Sequence, residues 1–339
     1  MPDFVERFDS DAFSNSSEAK KISIDLKKNL KVAPHPYCGW RSYPNQKLET
    51  ISTNEKGLRS KSFKSLENKI NCVLLGGSVA WGFGASSNEN IPSYLIEKNL
   101  YEKYGIKINI INLADQMYSS FEETQSFIAY LDEINPSLVI TLSGTNDINR
   151  ADKELFKYSN LHTAWLEYFD WGNHSGIIRE KNIFKKLFKI IIRSFNKNQA
   201  FPEEYFIFSK PKKKEEIFMK LFSNKISVIN SISLDKKIKV IHFLQPDLFF
   251  KNNKSESEKK YQKFLEERID HEFIKKSFMK INQVFFNKSN ENGIIYKNLI
   301  DCFDKNSDTI FFDRSHFTDK GYKILSDKIA MEIKNKFSF

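Results

Sequence analysis

The feature that most constrains the fold is a regular alternation of short apolar runs and amphipathic segments, which begins at residue 70. This alternation predicts right-handed crossovers and a parallel sheet with helices on both faces. We therefore expect an α/β fold: a three-layer αβα sandwich around a doubly wound, five-stranded parallel sheet. The runs that predict strands are 70–75, 107–113, 138–143, 239–244 and 293–299. The segments that predict helices are 91–104, 121–133, 215–234, 261–287 in one or two pieces, and 319–336.

Three stretches lie outside this alternation and define the expected domain organisation. Residues 1–33 are polar and charged, which predicts a peripheral helix or a loose arm. Residues 34–69 are rich in proline and glycine, which predicts loops and turns. We expect residues 1–69 to pack on a domain formed by 70–339. The stretch after the third strand is too long for one crossover, so we expect a helical insertion at about 151–214.

The composition narrows the possible partners and the compartment. The net charge is +10 over 339 residues, but the lysines are scattered, so we favour a lysine-biased proteome over nucleic-acid binding. The three cysteines form no C-x-x-C pair, which fits a reducing compartment and argues against a zinc site. The N-terminus lacks a secretory pattern, and no run approaches the roughly 20 apolar residues of a membrane span. We expect a cytoplasmic protein without metal or cofactor.

One segment could contact a membrane surface. Residues 183–195 (Ile183 to Phe195) place apolar and basic side chains at helical spacing, which predicts a basic amphipathic helix. Such a helix can lie on an anionic bilayer, but its apolar stripe more often packs on the protein's own core or on a partner subunit. We favour packing, and the oligomeric state stays open.

The polar residues that follow the predicted strands are candidates for a functional site, because ligands of open parallel sheets bind beyond the carboxyl ends of the strands. Ser78 follows the first strand after two glycines, which let the backbone turn sharply and expose the hydroxyl group. After the third strand, Asn146 can aim its amide at a substrate, and Gly144 lets the backbone approach closely. Gln245 follows the fourth strand and is a further candidate to contact substrate.

The loop before the last predicted helix supplies an acid and a base at the same edge. The spacing of Asp313 and His316 lets the carboxylate reach the imidazole and fix its tautomer. A metal site on this pair lacks an evident third ligand. Together with Ser78, the pair provides the nucleophile, the base and the orienting group that acyl transfer requires.

Three motifs together resemble the SGNH/GDSL hydrolase superfamily over roughly residues 70–335. The turn Gly76-Gly77-Ser78 is similar to the family's first block, with Gly77 where aspartate is often found. Residues 144–147 match Gly-x-Asn-Asp, and residues 313–316 match Asp-x-x-His. The resemblance implies a flavodoxin-like sheet and serine-dependent ester chemistry. The implied catalytic residues are Ser78, Asp313 and His316. From their places at the same edge of the sheet, we expect Gly77, Gly144 and Gln245 in the substrate site.

The second block departs from the family pattern. The family usually has a glycine after the second strand whose N–H enters the oxyanion hole, and alignment puts Met117 near that position. The implied oxyanion donors are the N–H of Ser78, the side-chain amide of Asn146 and the N–H of Met117. A backbone N–H survives the change to methionine, but the residue needs compatible backbone angles and its side chain would crowd the cleft.

The lead-in to the first strand carries a looser resemblance. Residues 34–60 look like a segment found in a bacterial subgroup, with Pro-Tyr-x-Gly-Trp followed by an Asn-x-x-Gly-x-Arg turn. This resemblance implies only that the segment folds with the domain.

The resemblance implies a hydrolase that removes a small acyl group, such as O-acetyl, from a carbohydrate or lipid-like substrate through an acyl-enzyme. A transferase could use the same residues, since cleft shape and water access decide the acceptor. A non-catalytic glycan-binding relative is a further alternative, favoured by Met117 and opposed by the intact set of Ser78, Asn146, Asp313 and His316. The expected partner is an acylated small molecule or glycan.

Overall fold

The chain folds around one five-stranded sheet, in a computed structural model that describes residues 11–13, 15–66, 70–152, 214–288 and 294–337. The strands are β1 (Val32–His35), β2 (Gly39–Ser42), β3 (Ile70–Gly76), β4 (Ile108–Asn112), β5 (Leu138–Ser143), β6 (Lys239–Leu244) and β7 (Ile294–Asn298). The α-helices are α1 (Ser16–Ile24), α2 (Ser78–Trp81), α3 (Pro92–Tyr104), α4 (Ser120–Ile134), α5 (Thr145–Asp152), α6 (Lys214–Asp235), α7 (Glu256–Glu266), α8 (His271–Lys288) and α9 (Asp319–Lys336).

The large sheet is parallel throughout, with the strand order β4-β3-β5-β6-β7. The chain leaves β3 in one direction to form the edge strand β4, then crosses back to the central strand β5 and continues to β7. Right-handed crossovers that run in opposite directions place their helices on opposite faces of the sheet. Accordingly, α3 packs against α9, while α4 packs against α6. The predicted doubly wound α/β fold is confirmed.

The strands are apolar because helices cover both faces of the sheet. Every residue of β4 and of β5 is buried, which is typical of strands in a parallel sheet. Each fully buried aliphatic side chain stabilises the fold by roughly 1.5–3 kcal/mol. This central packing fixes the carboxyl ends of β3, β5 and β6, where the candidate residues lie.

Some described elements differ from the predicted ones, and the short helices α2 and α5 match no predicted segment. The segment 261–287, predicted as one or two helices, lies in two, because Asp270 accepts a hydrogen bond from the N–H of Phe273 and starts α8 there. The first of the two begins earlier than expected, because Ser255 and Glu258 form a capping box at its start. The segment 34–69 is mostly loop, as predicted, but its beginning pairs in the antiparallel hairpin of β1 and β2.

The lead-in contacts the domain through a buried arginine. Arg59 donates to the carbonyl oxygen of Gly82 over 2.8 Å and to that of Thr50 over 2.7 Å. Its guanidinium also lies 4.7 Å from the ring centroid of Trp81, at the end of α2. Arg59 therefore ties the lead-in to the short helix that begins with Ser78.

Two sequence predictions fall on residues that the structure does not describe. The helical insertion expected at about 151–214 lies almost wholly in 153–213, and the amphipathic segment 183–195 lies inside that range. Among the described helices, none has the length and apolar character needed to cross a bilayer.

Candidate active site

Ser78 lies at a sharp turn between strand β3 and the one-turn helix α2. It is the first residue of that helix, where a backbone N–H has no intrahelical acceptor. Gly82 ends the helix in the left-handed conformation with φ 91°. The turn therefore presents both the hydroxyl group and the N–H of Ser78 at the carboxyl edge of the sheet.

His316 contacts Ser78 from the loop that precedes α9. Ser78 Oγ and His316 Nε2 are 2.6 Å apart, and His316 Nδ1 lies 2.7 Å from Asp313 Oδ2. A carboxylate at Nδ1 favours the tautomer with its proton there, which leaves the lone pair of Nε2 facing the serine. The structure thus brings Ser78 together with the Asp313 and His316 pair, although Ser78 and His316 are 238 residues apart in the sequence.

Asp313 is a buried carboxylate that holds the loop as well as the imidazole. Its Oδ1 accepts hydrogen bonds from the N–H groups of Ser315 and His316, each over 2.9 Å. Burial alone would raise the pKa of Asp313, but the charge and hydrogen bond of His316 and the two N–H donors outweigh it and hold this pKa below its usual value. Asp313 therefore stays ionised and can stabilise an imidazolium.

Two aromatic rings cover His316, and sequence reasoning missed both. The ring centroid of Phe83 lies 4.5 Å from that of the imidazole, and that of Phe312 lies 6.0 Å away. A Cβ on Gly84 would lie 2.3 Å from a ring carbon of Phe312, so this glycine makes room for the ring. The clustering of glycines at 82 and 84 with Phe83 between them was the available signal.

Asn146 faces the serine turn from the start of α5. Its Nδ2 donates to the carbonyl oxygen of Tyr118 over 2.8 Å. A side-chain amide carries two N–H groups, so this bond orients the amide and leaves a second hydrogen for a ligand. The side chain is half-buried, as is Ser78, whereas Asp313 and His316 are buried. Ser78 and Asn146 are therefore more open to solvent than His316 and Asp313.

Met117 lies in the loop after β4, in the left-handed conformation with φ 62°. This is the conformation that a glycine at this position would adopt without strain. The sequence raised the question of whether methionine could take compatible backbone angles, and the structure shows a left-handed φ; its role as an oxyanion donor stays a prediction. The half-buried side chain packs against the core.

Two further predicted site residues, Gly144 and Gln245, lie just after the ends of β5 and β6. Gly144 has φ 121°, and a Cβ there would lie 2.7 Å from Leu244 Cδ1, so the glycine permits close packing of β5 against β6. Gln245 is buried, and its N–H donates to the carbonyl oxygen of Ser143 over 3.2 Å. Contact of either residue with substrate stays a prediction.

Arg314, inside the Asp-x-x-His motif, fixes the same loop from the other side. Its Nε lies 3.1 Å from Asp247 Oδ2, and its Nη2 donates to Asn149 Oδ1 over 2.6 Å. Burial raises the pKa of Asp247, and the guanidinium opposes that rise. These contacts link the loop to the segment after β6 and to α5, and the motif alone gave no sign of them.

Comparisons with known proteins return structural neighbours only. No family model and no curated protein matches the chain. The chain is similar to the lipase/acylhydrolase of Enterococcus faecalis, with 14% identity over 79% of this chain and 97% of that chain, and a TM-score of 0.43. A GDSL-like lipase from Bacteroides thetaiotaomicron gives 14% identity, 79% and 89% coverage, and a TM-score of 0.39. An acetyl xylan esterase gives 11% identity, 78% and 100% coverage, and a TM-score of 0.42.

One of these three neighbours is named a GDSL-like lipase. The roles of individual residues depend on the geometry described above.

Proposed function

We propose that this protein is a serine esterase that acts through an acyl-enzyme. The observation that carries the proposal is the unbroken chain of contacts from Ser78 through His316 to Asp313, with separations of 2.6 and 2.7 Å. This arrangement supplies a nucleophile, a general base and a group that orients the base.

In the first half of the reaction, Ser78 Oγ attacks the ester carbonyl carbon while His316 Nε2 takes the hydroxyl proton. The imidazolium that forms is stabilised by the ionised Asp313. The tetrahedral intermediate then collapses, and the alcohol leaves with the proton that His316 returns to it. In the second half, His316 activates water, which attacks the acyl-enzyme and releases the acid and the free serine.

Three N–H donors serve the oxyanion in this proposal: the backbone N–H groups of Ser78 and Met117 and the amide of Asn146. Preorganised donors of this kind are each worth about 3 kcal/mol of activation free energy in comparable sites. The left-handed backbone of Met117 supports counting its N–H among the donors, because a glycine at this position would adopt the same conformation.

The substrate class we propose is a small acyl ester, such as an O-acetyl group, on a carbohydrate or lipid-like alcohol. This is the substrate class that the resemblance to the SGNH/GDSL superfamily implies. The same residues could pass the acyl group to an alcohol instead of water. Mass spectrometry of products formed with a sugar acceptor present separates an acyltransferase from a hydrolase.

The test is steady-state hydrolysis of p-nitrophenyl acetate by the wild-type protein and by the Ser78→Ala variant. We expect turnover by the wild type and none above background for the variant, with an unchanged thermal unfolding midpoint. Equal turnover by the two proteins would refute the assignment of Ser78.

A further inference from the structure

The loop that carries Met117 is held by three side chains of one helix. All three lie in the first two turns of α5 and reach the four residues from 117 to 120. Asn146 Nδ2 donates to Tyr118 O over 2.8 Å, Arg150 Nη2 donates to Met117 O over 3.1 Å, and the Asp147 carboxylate accepts from Ser120 N over 3.0 Å and from Ser120 Oγ over 2.6 Å.

Met117 is an unusual residue for its backbone conformation. With φ 62° it lies in the left-handed region, where the Cβ of an L-residue crowds the following carbonyl oxygen. Asn and Asp ease this crowding with a short polar side chain, and methionine has none. Such a conformation persists only where the surrounding structure enforces it.

The peptide groups on both sides of Met117 are each bound by a side chain. Trp40 Nε1 donates to the carbonyl oxygen of Gln116 over 2.9 Å, and Arg150 Nη2 donates to that of Met117 over 3.1 Å. The orientation of the peptide plane before a residue sets its φ, and that of the plane after it sets its ψ. The two bonds therefore restrain both dihedral angles of Met117.

Arg150 is itself held in a fixed orientation. Its Nη1 lies 2.9 Å from Glu122 Oε2 and 2.7 Å from Ser119 Oγ. Ser119 and Glu122 form the capping box of α4, and the exposed fractions of the Arg150 and Glu122 side chains are 9% and 1%. The planar guanidinium thus joins the strained loop to a buried, rigid helix terminus.

We infer that Trp40 and Arg150 are positioning residues. Their hydrogen bonds hold, or clamp, Met117 in the left-handed conformation that directs its N–H into the oxyanion hole, a conformation that glycine would adopt without such support. The inference rests on the proposed function. The inference also assigns a role to the hairpin of β1 and β2, because Trp40 lies in β2, outside the five-stranded sheet.

The experiment compares Arg150→Lys and Trp40→Phe in the wild-type chain and in a Met117→Gly chain. Lysine keeps a cation beside Glu122 but cannot also reach Met117 O, and phenylalanine keeps the ring of residue 40 without its N–H. In the wild-type chain, each variant should lower kcat for p-nitrophenyl acetate by at least about tenfold with little change in KM. Deleting an oxyanion donor outright lowers kcat by roughly 10²–10³-fold, which sets the upper range of the effect. In the Met117→Gly chain each loss should shrink to less than about threefold, because glycine adopts these angles without strain.

Arg268→Lys is the matched control, because Arg268 also donates to a main-chain carbonyl oxygen, that of Phe264 over 3.1 Å. Arg268 is exposed and lies just after the end of α7. It should leave kcat unchanged. Equal losses in the two chains, or no loss of kcat in either, would overturn the clamp.

Thermal unfolding tests the clamp on Met117 independently of the proposed esterase activity. Thermal unfolding midpoints should fall less for Arg150→Lys and Trp40→Phe in the wild-type chain than in the Met117→Gly chain, because a released Met117 loses its strain and offsets part of the lost hydrogen bond, whether or not the protein hydrolyses the ester. Additive shifts in the midpoint would contradict the clamp alone. A wild-type protein without ester hydrolysis but with non-additive shifts would contradict the proposed function alone.

Discussion

Gly77 and Asn146 are so close that a Cβ on the glycine would lie 2.3 Å from Nδ2 of the asparagine. The same Cβ would lie 2.9 Å from the carbonyl oxygen of Tyr118, the acceptor that orients this amide. Asn146 therefore reaches the serine turn because residue 77 has no side chain. An aspartate, which is frequent at this place in the resembled motif, would require the amide to move.

Gly77→Ala should lower kcat for p-nitrophenyl acetate by at least about tenfold, because a displaced Asn146 no longer donates to the oxyanion and such donors are worth 10²–10³-fold. The measurement is steady-state kinetics together with the thermal unfolding midpoint. Gly105→Asn is the control: a Cβ there meets nothing within 4 Å, and asparagine tolerates the φ of 70°. A kcat for Gly77→Ala that equals the wild-type value would show that Asn146 is not constrained by residue 77.

Asp313→Asn should reduce kcat by about 10³–10⁴-fold, because asparagine can stabilise neither the required tautomer nor the imidazolium. The variant should also change how stability depends on pH. The pKa of Asp313 in the folded protein lies below its ordinary value of 3.8. Its contribution to the free energy of unfolding is therefore complete above that ordinary value and is lost as the pH falls through the lower folded pKa.

Urea unfolding of both proteins between pH 3 and pH 7 checks the second part. The difference in the free energy of unfolding between wild type and Asp313→Asn should be constant from about pH 5 upward and shrink below about pH 4. A difference that grows on acidification would mean that the folded-state pKa of Asp313 is not lowered.

Asp115 should give the opposite dependence on pH. It is fully buried below the Met117 loop, where burial raises its pKa from 3.8 to about 6, although Arg41 and two backbone donors oppose the rise. Between these values the unfolded chain ionises while the folded protein keeps the proton, so stability falls as the pH rises from about 4 to about 6. A shift of this size corresponds to about 2–3 kcal/mol.

Asp115→Asn removes this titration. The free energy of unfolding of the wild type relative to the variant should decrease by about 2–3 kcal/mol between pH 4 and pH 6, and then stay level above pH 7. Urea titrations at each pH measure it. A relative stability that does not vary between pH 4 and pH 6 would show that Asp115 titrates alike in the folded and unfolded chain.

The sheet and the contacting set of Ser78, His316 and Asp313 were predictable, because each depends on a short local pattern in the sequence. Strands 138–143 and 239–244 and helix 319–336 have the same bounds in sequence and structure, since apolar runs bounded by turn residues define them. Ser78, Asp313 and His316 follow from a rule about where parallel strands end. Their separation in sequence was no obstacle, because the topology brings those ends together.

The surroundings of the site were not predictable, because they depend on contacts between distant segments. Nothing near Trp40 in the sequence indicates that its indole binds Gln116, and nothing near Arg150 indicates that it reaches Met117. The stacking of Phe83 on His316 likewise requires the packed structure. A left-handed methionine is contrary to local preference, and we propose that the hydrogen bonds on either side of it hold that conformation.

The central claim is that Ser78 is a nucleophile activated by His316 and Asp313. Intact-protein mass spectrometry after incubation with a fluorophosphonate tests it most directly, using wild type, Ser78→Ala and a Ser227→Ala control on α6. We expect one adduct on wild type and on the control, located at Ser78 by peptide mapping, and none on Ser78→Ala. An unlabelled wild-type protein, or an equal adduct on Ser78→Ala, would contradict it.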